Sequence, residues 1–183
     1  DGRDDSRRLR LRILRAIIMD FDVKKETLRF LDKAGIEYEL FEHEPAFTLE
    51  QCAWVEKLTG ATVYKNLLLC PSNESEFILL VMGGDKPFVT KDISKKLGTS
   101  RLSFAKSERM TELLSTQPGS LSILSLIFDK QRRVRLAVDS RAPRGEYFCC
   151  HPCNNSTTLK LKTADIFDRL LPMLGVRPQV IDI

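Results

Sequence analysis

Two hydrophobic periods alternate along this chain, one of about 3.6 residues and one of two. The first predicts a helix over Lys24 to Ala34, with Leu28 and Leu31 inward, Asp22 as its cap and Gly35 as its stop. Strict alternation over Ile36 to Glu42 predicts a strand. His43-Glu44-Pro45-Ala46-Phe47 is a loop, and Thr48 with Gln51 forms a capping box for a helix through Leu58, ended by Gly60. Ala61 to Cys70 is the stretch around which the rest is organised. As a strand it places Val63, Lys65, Leu67 and Leu69 on one face and Tyr64, Asn66, Leu68 and Cys70 on the other. Each face is apolar with one polar intruder, as expected of a strand covered on both sides. Lys65 on such a face needs a partner or a ligand, because burying an unpaired ammonium is expensive. The plainer alternative runs Lys65 out to water at a strand end and lets Asn66 satisfy a neighbouring loop.

Beyond a polar turn at Pro71 to Ser75, Glu76 to Met82 is a second buried strand and Gly83-Gly84-Asp85-Lys86 a turn. A short helix over Thr90 to Leu97 stops at Gly98, Arg101 to Ala105 is a strand, and Ser107 caps a helix to about Ser115. Pro118-Gly119-Ser120 is a turn and Leu121 to Phe128 an apolar run. Strands follow at Val134 to Asp139, Tyr147 to Cys150 and Thr157 to Lys162, then a helix over Ala164 to Leu174 and a strand at Val180 to Asp182. Seven or eight strands among four or five short helices predict an α+β fold around a mixed sheet or small barrel.

At 183 residues, with 43% hydrophobic and 30% charged content, the chain is long enough to bury one core without staples. The net charge of +4 is unevenly placed: residues 1–18 hold six arginines against three aspartates, so the remainder is nearly neutral. We expect residues 1–18 to be a basic N-terminal extension, with Met19 as a natural start, and residues 19–183 to be the domain. Arg15 interrupts the apolar stretch that a signal peptide would need, and no segment approaches the roughly 20 apolar residues of a membrane span. Five cysteines, an odd number, then read as reduced cytosolic thiols.

The obvious chemistry is thin. In Cys149-Cys150-His151-Pro152-Cys153 only Cys150 and Cys153 have metal-ligand spacing, and no second pair matches them. Nothing selects a nucleophile–base pair from Cys149, Cys150 or Cys153 with His43 or His151. There is no Gly-x-x-x-x-Gly-Lys loop, and Gly83-Gly84 reads as a hairpin turn.

Blocks spread over residues 24–175 carry more. They are His43-Glu44-Pro45-Ala46-Phe47-Thr48, Lys65-Asn66-Leu67-Leu68-Leu69, Gly84-Asp85-Lys86, Leu97-Gly98-Thr99-Ser100-Arg101-Leu102-Ser103-Phe104-Ala105, Pro118-Gly119-Ser120 and His151-Pro152-Cys153-Asn154-Asn155-Ser156-Thr157-Thr158. In this order the chain resembles the aminoacyl-tRNA deacylases of the YbaK/ProX family, relatives of the editing domain of bacterial prolyl-tRNA synthetases. The histidine block is similar to the branch that clears alanine from proline tRNA.

The resemblance implies a mixed, largely antiparallel six- to seven-stranded sheet or barrel flanked by short helices. It implies a cytoplasmic trans-editing hydrolase cleaving the aminoacyl ester of mischarged tRNA(Pro), above all Ala-tRNA(Pro), with no cofactor and no metal. Its expected partners are the acceptor end of that tRNA and prolyl-tRNA synthetase, with neither membrane nor DNA. Lys65, Gly119 and Ser120 match the catalytic positions, and Phe47, Thr48, Asn66 and His151 the substrate-binding ones. The ribose hydroxyl beside the ester and backbone dipoles would position water, with Lys65 near the developing charge. The alternatives are clearance of cysteine or serine, or an inactive module that binds a tRNA or a synthetase. One departure stands out: the family's loop is commonly Gly-x-x-x-Pro, whereas Gly119 is followed by Ser120-Leu121-Ser122-Ile123. Ile123 lacks the fixed φ of proline, so the loop keeps its shape by packing or is altered.

Overall fold

The computed structural model describes residues 22–45 and 49–183. The basic leader, Phe47, Thr48 and the expected Thr48–Gln51 capping box lie outside the described residues. Helix α1 (Val23–Lys33) starts where Asp22 accepts a hydrogen bond from Lys25 N at 3.2 Å, and it buries Thr27 and Leu31. Strand β1 (Tyr38–Glu42) and helix α2 (Leu49–Thr59) follow. A tight pair comes next, β2 (Tyr64–Pro71) and β3 (Phe77–Gly83), antiparallel with Lys65 opposite Met82 and Asn66 opposite Val81. The remaining regular elements are α3 (Thr90–Leu97), β4 (Leu102–Phe104), α4 (Ser107–Leu114), β5 (Val134–Asp139), β6 (Tyr147–Cys150), β7 (Thr157–Lys162) and β8 (Gln179–Ile181).

These strands make two sheets. One has the order β1-β7-β6, all antiparallel. The other has the order β4-β2-β3-β5-β8, antiparallel around β2 and parallel from β3 through β5 to β8. Among the described residues one parallel bridge, Val63 to Cys149, links them, so the sheets meet without closing a barrel. Of the two expected architectures, the mixed and largely antiparallel sheet is the one formed, with eight strands where the family resemblance implied six or seven.

Alternation explains why β3 is apolar throughout. Leu79 and Val81, with Leu68 and Cys70 of β2, face a core that also holds Leu31, Phe148, Leu159 and Ile166. Ile78, Leu80 and Met82, with Leu69, face a second core closed by Ile93 and Leu97 of α3. Every residue of β3 is buried.

Three local expectations change. Ser107 does not cap α4: Lys106 holds the extended cap position, and the Ser107 hydroxyl lies 3.4 Å from Glu108 Oε2. The apolar run folds as a 3₁₀ helix, Ile123–Phe128, because Ser122 and Ser125 bond each other's backbone in a reciprocal cap. The last helix is π-helical over Asp165–Leu170 before Leu171–Met173. Pro172 has no N–H for the carbonyl four residues back, and the ladder widens before it.

Candidate functional site

Lys65 sits half-buried on the same face of β2 as Leu67 and Leu69. Its Nζ donates to the Lys86 carbonyl at 3.0 Å, and among the described residues no carboxylate pairs with it. An ammonium has three donors, so two remain for a ligand or water. The Lys86 carbonyl is held in turn: Lys86 N returns to Gly83 O at 3.2 Å, closing the turn after β3.

A charged clamp fixes that turn. Asp139, at the end of β5, has a fully buried carboxylate. It accepts from Arg141 N at 3.0 Å, from the Arg141 guanidinium at 3.2 and 3.3 Å, and from Gly83 N at 3.4 Å. Burial alone would raise its pKa. The Arg141 backbone and guanidinium, with Gly83 N, outweigh burial and hold it below the usual carboxylate range. The same guanidinium reaches Asp85 at 3.1 and 3.3 Å and lowers that carboxyl too. Gly83 makes room for this: a Cβ there would overlap the Arg141 guanidinium and lie 2.7 Å from Asp85 Oδ1.

Asn66 faces the other side, with Tyr64 and Leu68. Its Nδ2 donates to Tyr64 O at 3.0 Å, so it braces its own strand where a neighbouring loop had been expected. Its Oδ1 is buried and has no hydrogen-bond partner among the described residues. Tyr64 stacks on Phe148 of β6 at 4.8 Å, with the rings 11° from parallel. Burial, and then the Asp139 charge, raise the Tyr64 phenol.

His151 follows β6 directly. Its Nδ1 donates to the Thr157 carbonyl at 2.8 Å, tying together the turn between β6 and β7. Nε2 is then the unprotonated nitrogen of the neutral ring, and it has no hydrogen-bond partner among the described residues. Burial pushes the His151 pKa down; the Thr157 bond opposes this and His43 adds to it. His43 is similarly fixed, with Nδ1 donating to Glu44 O at 2.8 Å and Nε2 accepting from the Thr158 hydroxyl at 2.9 Å. The two imidazoles lie 6.2 Å apart, and exposed Trp54 packs edge-on to His43 at 6.3 Å.

Gly119 has φ +85°, a left-handed conformation that glycine adopts without strain, and Ser120 N donates to Gln117 O at 3.0 Å. Ile123 is fully buried at the start of the 3₁₀ helix, so packing and the Ser122 cap hold this loop at the position where the family resemblance led us to expect proline. The loop abuts the histidine block, since Ser125 Oγ lies 3.3 Å from Cys153 Sγ.

The structure therefore gathers His151, His43 and the Ser122–Ser125 turn. Lys65 and His151 are each two residues on from the parallel Val63–Cys149 bridge. No hydrogen bond among the described residues joins Lys65 to Asn66, Gly119, Ser120 or His151. Burial pushes the Cys149, Cys150 and Cys153 thiols up, which disfavours the thiolate a nucleophile requires. Among the described residues no three of His, Cys, Asp and Glu group as metal ligands. The sequence reading passed over His43 as a fixed partner of Thr158, Trp54, and the Asp139–Arg141–Asp85 clamp. The lone tryptophan was a legible signal; the clamp, spread over 56 residues, was not.

The two-sheet architecture recurs in solved structures. One is a protein proposed as a trans-editing enzyme for prolyl-tRNA synthetase, matched with a TM-score of 0.64 at 15% identity over 89% of this chain and 98% of that one. In sequence the chain is similar to the prolyl-tRNA editing protein ProX of Acetoanaerobium sticklandii, 28% identical over 81% of this chain and 90% of that protein. It is also similar to the prolyl-tRNA synthetase associated domain-containing protein 1 of Danio rerio, 31% identical over 82% of this chain and 83% of that one. The aminoacyl-tRNA editing domain family matches residues 43–168, and the chain belongs to that family. Among the described residues no helix is long and apolar enough to cross a membrane.

Proposed function

We propose that this protein is a trans-editing deacylase that hydrolyses the ester of mischarged tRNA(Pro), with Ala-tRNA(Pro) as its preferred substrate. The observation that carries this reading is Lys65: a half-buried ammonium on an otherwise apolar face, satisfied only by a backbone carbonyl. Such a group is positioned to donate to ribose or ester oxygens, where negative charge develops as water attacks. The unoccupied Asn66 Oδ1 and His151 Nε2 are acceptors for substrate hydroxyl, amine or the attacking water. Gly119, in its left-handed turn, offers close backbone approach, with Ser120 beside it. Phe47 and Thr48, substrate-binding positions by the family resemblance, are the further candidates for the pocket wall. A wall of this kind admits alanine and excludes proline by clash, a discrimination that a synthetase pocket achieves poorly against a smaller side chain. The names of the relatives support proline tRNA as the carrier.

The test is hydrolysis of a panel of mischarged tRNAs. Alanyl-tRNA(Pro) should be cleared at least about tenfold faster than prolyl-tRNA(Pro), as one or more excluded methylenes would give. Lys65→Ala should lose most of this activity while remaining folded. Equal rates on the alanyl and prolyl esters would overturn the steric pocket, and a fully active Lys65→Ala protein would remove Lys65 from the chemistry.

A further inference from the structure

On the outer side of α3 lies an open cleft of about 500 Å³ lined by Thr90, Lys91, Ser94, Lys95, Thr99 and Arg101. Its floor is fixed: the Ser94 hydroxyl donates to Thr90 O at 2.7 Å and accepts from Leu102 N at 3.0 Å, pinning α3 to β4. Its rim is cationic, and Asp92, the only carboxylate of α3, is not part of the lining. Lys91, Lys95 and Arg101 are all exposed, and among the described residues none of their charged side-chain groups makes a hydrogen bond or ion pair. Arg109, Arg133, Arg135 and Arg169 each hold a carboxylate, while Arg132, Arg144 and Lys106 are, like the cleft's cations, exposed without one among the described residues. Three cations without a carboxylate partner among the described residues, around a cleft whose walls are largely the apolar stems of these side chains, form a footprint for phosphates.

An aromatic pair comes from the segments next to the cleft's lining, two residues before Thr90 and three after Arg101. Phe104 of β4 is 60% exposed, and its ring lies 5.1 Å from Phe88, which packs on the second core. Phe88 and Val89 lead straight into Thr90, and Lys86, just upstream, supplies the carbonyl that holds Lys65. Four residues span at most about 14 Å, so cleft and Lys65 lie within reach of a few nucleotides. Both lie on the α3 side of the large sheet.

We propose that this cleft and aromatic pair are the docking surface for the acceptor arm of the tRNA: Lys91, Lys95 and Arg101 hold backbone phosphates and Phe104 stacks an unpaired base near the 3′ end. Cations along a backbone track with interleaved aromatics are what an RNA strand recognises without base-specific contacts. The inference rests on the deacylase reading for the identity of the RNA.

The test combines Lys91→Gln, Lys95→Gln and Arg101→Gln in one protein and Phe104→Ala in another. Binding of uncharged tRNA(Pro) is followed by fluorescence anisotropy across a potassium chloride series. Hydrolysis is followed on Ala-tRNA(Pro) and on 3′-alanyl-adenosine, which carries the ester without the arm. The triple variant should bind at least tenfold more weakly, and its log–log salt slope should flatten by roughly 2–3, as three lost phosphate contacts predict. Phe104→Ala should weaken binding with little change in slope. Both variants should raise KM on Ala-tRNA(Pro), leave kcat within about twofold and leave the adenosine ester unaffected. Unchanged affinity and slope in the triple variant would overturn the proposal, as would an equal loss on the adenosine ester. If the parent binds tRNA through these cations yet hydrolyses no mischarged ester, the deacylase reading fails and the docking surface stands. If the parent deacylates and the triple variant keeps its slope, the reverse holds.

Discussion

Phe148 is the side chain on which the junction of the two sheets depends most. It is fully buried, stacks on Tyr64 at 4.8 Å and meets Phe167 edge-on at 6.0 Å and 72°. It also precedes Cys149, whose bridge to Val63 is the only backbone pairing between the sheets among the described residues. Phe148→Leu keeps an apolar side chain and removes both ring contacts. Each such contact contributes about 0.5–1.5 kcal/mol beyond area burial, so the loss should be about 1–3 kcal/mol. For a chain of this length each kcal/mol lowers Tm by about 2–4 °C, giving a fall of about 2–12 °C. Urea unfolding followed by circular dichroism measures the loss, and a cycle with Tyr64→Leu isolates the stack, expected to couple by about 0.5–1.5 kcal/mol. Deacylation by the folded fraction should fall as well, because the strands carrying Lys65 and His151 are joined by the Val63–Cys149 bridge beside this ring. Strict additivity of Phe148→Leu and Tyr64→Leu, with activity per folded molecule intact, would refute the argument.

Two further predictions follow from the site's surroundings. The unfolded His151 imidazole titrates near 6.5, and burial places the folded one lower, so between those values the unfolded chain binds the proton. Stability should therefore fall as pH drops through about 6.5 and level off below the folded value; urea midpoints of the parent and His151→Gln should converge towards acid, and a parent that gains on the variant would contradict the sign. Gly83→Ala should cost about 1–3 kcal/mol by overpacking against Arg141 and lower deacylation through the Lys86 turn. Trimming Arg141 to Ser in the same protein should relieve part of that packing cost, and full additivity in urea melts would count against the clash.

What could be read in advance was local. The bounds of α3, β5, β6 and β7 coincide with the stretches predicted from alternation and stop signals, because propensity and period agree there and Gly98 ends α3 in a left-handed turn. The run Leu121 to Phe128 carried no such agreement: its apolar residues suit any buried segment, and two serines decided for a 3₁₀ turn. The lysine on the apolar face was legible as a group in need of a partner. That its partner would be the Lys86 carbonyl was not, because the turn offering it is set by Asp139 and Arg141, more than 50 residues away. Ile123 likewise looked like a defect only while the Ser122–Ser125 cap was unknown.

The gradient of burial along β2 explains why its two polar side chains sit at one end. Tyr64 to Leu67 are half-buried and Leu68 to Pro71 fully so. Consecutive strand residues point to opposite faces, so Lys65 and Asn66 would be separated by the sheet anywhere in its covered middle. At the open end they are not sealed off from each other, because the sheet stops at the Tyr64–Gly83 pair and a ligand can reach around it. The Gly83–Lys86 turn, the Asp139–Arg141 clamp and the Val63–Cys149 bridge all converge on that end. The buried half of β2 supplies rigidity and the half-buried end supplies donors and acceptors, so the site we propose needs no long loop to bring its groups together, only the place where two sheets fail to close.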